Sequence, residues 1–156
     1  MRLVPPKYLV PEDAYDVRPS YYIHAGLLFA PLSRDYLKTW GEDWPSEAPG
    51  DLISIYESGV RSPERRQVAV LQKVLADRST QGYHDVGSVI VDQVDGHKVR
   101  DMKHLIKLIE RGRGEFLRIT TGGGYRIVLD RAEVKKRSAG ILRRYNVPFD
   151  RSEDLR

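Results

Sequence analysis

The sequence predicts an α+β fold, mainly β: a small, partly open β-barrel with flanking helices, a helical insert and a C-terminal helix. Three observations lead there. Short runs rich in Val, Ile and Leu outnumber the long helical patterns. Turns rather than helices join most of those runs, above all Asp95-Gly96 between two apolar segments, a strong local hairpin signal. And one segment, Met102 to Ile109, carries an unmistakable helical apolar stripe.

Taken in order, residues 1–19 read as an extended arm or linker, because Pro5, Pro6, Pro11 and Pro19 forbid a regular helix or a central strand. "YYIHAGLLFAPLS", residues 21–33, is a strand broken at Ala25-Gly26 and resumed at Leu27. A glycine inside a strand weakens it, and marks a bulge or a close approach of backbone to something else. Residues 34–66 form a helical insert. Ser33 caps a short helix stopped by Gly41, "EDWPSEAPGD" is a loop, and Asp51 caps a second helix ended by Gly59. Trp40, Trp44 and Tyr56 are expected to pack as core or lid of this insert, since large aromatic surfaces are costly to leave in water.

"QVAVLQKVLAD" is a strand, "RSTQGYHDVG" a polar connection with room for one helical turn, and "SVIVDQVDGHKV" a strand, tight turn and short return. "RDMKHLIKLIERG" is an amphipathic helix with Asp101 at its start and Gly112 at its stop. "EFLRITTGGGYRIVLD" is a hairpin about Gly122 to Gly124. Asp130 caps a final helix over 131–146, with Glu133 at capping-box distance. Residues 149–156 read as a tail. The main domain is then 20–148.

Composition narrows the function. Within 156 residues, 40% are hydrophobic and 31% charged, as in a globular chain of one domain. No apolar run is long enough to cross a bilayer, and the proline- and acid-containing N-terminus does not read as a signal peptide. The chain reads as cytosolic or as a piece of something larger. It has no cysteine, which removes disulfides and thiolate chemistry. The 26 Lys and Arg against 22 Asp and Glu leave a net charge of only +4, with both signs mixed along the chain.

Catalytic and metal patterns are missing. His24, His84, His97 and His104 include no H-x-x-x-H pair, and no G-x-S-x-G elbow is present. "TTGGGY" lacks the Lys-Ser/Thr of a phosphate loop. Nothing calls for a cofactor, and an independent enzyme is not expected. Lys135, Lys136, Arg137, Arg143 and Arg144 spread around the last helix without an aromatic platform, which argues against nucleic acid.

The order of pieces over residues 67–129, with "GSVIVDQVDGHKVRDMKHLIKLI" at its centre, resembles a PDZ domain. "GLLF", Gly26 to Phe29, is similar to that family's carboxylate-binding loop, with Leu28 in place of a second glycine. The whole chain resembles the PDZ-like domain at the C-terminal end of Do-like (HtrA/DegP-type) serine proteases. The resemblance implies a non-catalytic module of a larger endopeptidase. Its partners would be C-terminal or extended peptide segments, or the protease domain and neighbouring subunits. It would sit in the cell envelope or periplasm if the parent is a bacterial protease.

By that resemblance the backbone N–H groups of Leu27, Leu28 and Phe29 would meet a peptide carboxylate beside Gly26. Met102, Ile106 and Ile109 would wall the groove, while Leu105 and Leu108 face the core. The peptide would add as a strand. Gly26→Val is then expected to remove binding with little loss of fold. The insert follows the binding strand directly and is placed to cover the groove, which would leave a purely structural oligomerisation domain.

Overall fold

The computed structural model describes residues 7–12 and 18–156; the rest of the proline-rich arm lies outside the described residues. Among the described residues seven strands form one antiparallel sheet: β1 (Tyr22–His24), β2 (Leu27–Pro31), β3 (Ala69–Val74), β4 (Val89–Val94), β5 (His97–Lys98), β6 (Phe116–Thr121) and β7 (Arg126–Asp130). Their order is β1-β2-β3-β4-β6-β7, with β5 paired to β4. The sheet stays open and does not close into a barrel, so the fold is α+β with β1 at one end of the sheet and β7 at the other.

Among the described residues five α-helices accompany the sheet: α1 (Arg34–Leu37), α2 (Trp44–Glu47), α3 (Gly50–Ser58), α4 (Met102–Arg111) and α5 (Arg131–Arg144). Their starts follow local chemistry. The side chains of Ser33, Asp101 and Asp130 accept the backbone N–H of Tyr36, His104 and Glu133, which would otherwise lack partners at a helix start. Glu133 does not complete a capping box; its carboxylate faces Arg137 one turn on, at 3.8 Å. Asp51 lies inside α3 rather than at its cap, and α2 is a helical turn where the sequence reads as loop.

The strand alternation sorts the core in two. On one face Phe29, Leu71 and Val91 meet Met102, Leu105, Ile106 and Ile109 of α4 and Val134 of α5. On the other face Val70 and Ile90 meet Leu32, Leu37 and Leu52 of the insert, with Leu9 and Val10 of the N-terminal arm. Trp44 and Tyr56 lie edge to face at 5.5 Å, and Tyr36 and Trp40 at 5.1 Å, as the packing of this second cluster. The arm is tied in by Leu9 N–H to Gly59 O at 3.0 Å and Arg61 N–H to Lys7 O at 2.9 Å.

Two placements differ from the expectation. The insert packs on the sheet face opposite α4, so it does not cover the cleft beside that helix. The reason is parity: Val70 and Ile90 point away from α4 and need an apolar cover of their own. Residues 149–156 are also no loose tail. Arg151 bridges Tyr22, Ser152 is buried, and Leu155 reaches the α4-side core.

Candidate functional site: the cleft between β2 and α4

Gly26 is the second residue of a two-residue hairpin turn. Ala25 has φ 53° and Gly26 φ 84°, and the register His24↔Leu27 closes the hairpin directly about them. Both positive φ values match the twist of the flanking strands. The glycine also meets a neighbour: Leu75 N–H donates to Gly26 O at 2.6 Å, and a Cβ on Gly26 would lie 2.9 Å from Leu75 O. Turn geometry and close backbone approach therefore both require it. The expectation that Gly26→Val leaves the fold intact is corrected on these two counts. The irregularity in the β2–β3 ladder lies further on, between Leu28 and Phe29.

The remaining residues of the expected groove come together. Leu27, Phe29, Met102, Ile106 and Ile109 belong to one buried cluster, and Leu28 is half-buried on the opposite side of β2. Leu105 is fully buried with them, and Leu108 half-buried. What lies between β2 and α4 is the chain's own β1. It pairs with β2 in the register Tyr22↔Phe29, Ile23↔Leu28 and His24↔Leu27. In such a hairpin the residues flanking the turn exchange hydrogen bonds, and every second pair does so after that. The N–H groups of Leu27 and Phe29 consequently face β1.

Tyr22 fills the space against the helix. Its ring is 1% exposed and stacks on Phe29 at 6.1 Å. Its hydroxyl donates to Glu110 Oε1 of α4 at 3.4 Å and lies 3.3 Å from His24 Nδ1. The Arg151 guanidinium sits 5.1 Å above the same ring and pairs with both Glu110 and Asp150. Residues 150–152 then run along the outer edge of β1. Ile23 N–H donates to Asp150 O at 2.7 Å, Ser152 N–H to Tyr21 O at 3.0 Å, and Tyr21 N–H to Ser152 Oγ at 3.0 Å.

The electrostatics follow from this burial. Desolvation, reinforced by Glu110, raises the Tyr22 phenol far above its ordinary range. Burial lowers His24 to about 4, against the opposing pull of Glu110, so its imidazole is neutral near pH 7. Outside the cluster an open cavity of about 630 Å³ remains, lined by His24, Gly26, Glu110, Arg131, Lys135 and Phe149 among others. Among the described residues no cluster of three or more His, Asp or Glu is arranged to hold a metal ion.

The sequence model of the PDZ domain matches residues 10–154. The chain belongs to the PDZ domain family. It is 35% identical over 146 residues to Protease Do-like 4, mitochondrial, of Arabidopsis thaliana, covering 93% of this PDZ chain and 25% of that protein. Protease Do-like 2, chloroplastic, from the same plant is 32% identical over 153 residues, covering 98% of the chain and 25% of the relative. A serine protease DegP homolog of Plasmodium falciparum is 29% identical over 111 residues, 70% of the chain and 12% of the relative. The chain thus spans about a quarter of the Arabidopsis relatives, and what it matches is their PDZ portion, a binding domain rather than the catalytic one.

Sequence reasoning named residues of β2 and α4 that the fold brings into one cluster, and missed β1 beside them. Tyr22 was readable as one of two adjacent tyrosines and nothing more. An available signal was Ala-Gly set between two apolar runs, a two-residue hairpin that folds the first run onto the second. Glu110 and Arg151 carry no local pattern; they meet only because the chain's last residues return to β1.

Proposed function

We propose that this PDZ domain is a non-catalytic protein-binding module of a Do-like serine protease, regulating proteolysis through peptide or subunit binding. Its peptide-receiving cleft is Gly26, Leu27, Leu28 and Phe29 opposite Met102, Ile106 and Ile109, and β1 holds that cleft in a closed resting state. The observation behind this reading is the pairing of Tyr22–His24 along β2 with the Tyr22 ring set against α4. A strand in that position is what an added peptide would supply. When β1 leaves, the N–H groups of Leu27 and Phe29 lose their partners and become donors for an incoming strand. A hydrogen bond to its charged carboxylate would contribute about 1.5–3 kcal/mol.

The test compares free-carboxylate peptides with the same peptides amidated, on the unaltered chain and on Tyr22→Ala and Arg151→Ala. The expected result is weak binding by the unaltered chain and stronger, carboxylate-dependent binding by both variants. Arg151→Ala guards against a Tyr22 variant that fails to fold, because Arg151 lies at the surface of the cluster. If no folded variant binds any peptide, the cleft is permanently filled. The domain is then a structural one that holds oligomers together through its outer surfaces, a reading the strap at 150–152 favours.

A further inference from the structure

A second concave surface lies away from the β2–α4 cleft, between the C-terminal end of α4 and the outward face of the β6–β7 hairpin. It encloses about 750 Å³ and carries Lys107, Arg111, Arg113, Arg118 and Arg126, with Phe116 at its wall. Each of the five cations is exposed, and among the described residues none has a carboxylate within ion-pair distance. The one carboxylate lining the surface, Asp95, is already engaged: it pairs with Arg131 and accepts Arg118 N–H at 2.9 Å.

The placement of these cations costs the fold something. Lys107 and Arg111 are one helical turn apart on α4, where like charges repel. Arg118 sits opposite Val128 and Arg126 opposite Thr120, so the two arginines are diagonal neighbours on one face. Neither arrangement helps packing, and α5 shows the contrast: there Arg137 and Arg144 both reach Asp77.

We infer that this surface binds an acidic protein segment, rich in Asp and Glu and carrying an apolar side chain. The guanidinium fork matches a carboxylate through two parallel hydrogen bonds, and four of the five cations are arginines. Phe116, 37% exposed, and Leu108 offer apolar contact within the same hollow. A bilayer surface would need a flat or convex face. A nucleic acid would need a basic track continuing beyond the hollow, whereas these five cations gather around one concave surface.

The inference does not rest on the function proposed for the β2–α4 cleft. Its test is fluorescence anisotropy of the PDZ chain with a labelled oligo-glutamate peptide bearing one leucine, beside an oligo-thymidylate of equal charge. The peptide is expected to bind more tightly, and binding to weaken as salt rises. Arg113→Glu with Arg118→Glu should weaken it about tenfold or more, while Arg143→Glu on α5 should leave it unchanged. Circular dichroism confirms that the variants fold. No peptide binding, tighter binding of the oligonucleotide, or equal loss from Arg143→Glu would each overturn the inference.

Discussion

At the scale of single residues, His24 shows how burial becomes pH dependence. Unfolded, it titrates near 6.5; folded, burial holds it neutral down to about 4. Between those values the unfolded chain takes up a proton that the folded chain refuses. Stability should therefore fall as pH drops from about 6.5 toward 4, by at most about 1.4 kcal/mol per unit from this group. Urea midpoints at pH 7 and pH 5 check it: His24→Gln should lose less between the two than the unaltered chain. Asp77 acts in the same sense, over a more acidic range. Arg137 binds it through Nε at 2.7 Å and Nη2 at 3.0 Å, and Ser79 adds its N–H and hydroxyl, which together hold the carboxyl well below the usual range. A carboxylate so depressed contributes stability above about pH 4 and loses it only in stronger acid. Arg137→Ala leaves that buried carboxylate with less compensation and should lower the denaturation midpoint.

At the scale of elements, the β1–β2 hairpin and its strap act together. The turn needs a positive φ at Gly26 and has no space for a Cβ beneath Leu75 O. Gly26→Val should therefore lower the melting temperature, through a conformational cost of about 1–2 kcal/mol plus the backbone shift that the contact forces. An unchanged melting temperature would mean that the turn is not held as described. The Asp95-Gly96 turn, with φ of 50° and 82°, was legible from its sequence because Asp-Gly has few other uses between apolar runs. Ala25-Gly26 was less legible. Ala seldom takes φ of 53°, and only the tertiary pull of β2 and Leu75 on both sides keeps it there.

For the whole molecule, the two core clusters share the sheet. Val70 and Leu71, adjacent in β3, serve opposite faces. The insert and the α4 side should therefore unfold in one transition. Leu52→Ala, in the insert core, should shift that single transition by about 2–5 kcal/mol rather than create a separate early one. Two calorimetric transitions would show that the insert melts independently. The same sharing explains why the insert is not a lid: the side chains it covers point away from α4.

The sequence by itself determined the strand-rich α+β fold, the amphipathic α4, the hairpin at Asp95 and the PDZ relationship. Each rests on residues close together in the chain, where hydrophobic period and turn chemistry act directly. Tertiary structure alone decided that the sheet stays open, that the insert takes the far face, and that Tyr22 lies against Glu110 under Arg151. Those contacts join residues far apart in the chain. No local pattern specifies them, because their partners are chosen only when β1, α4 and residues 150–152 come together.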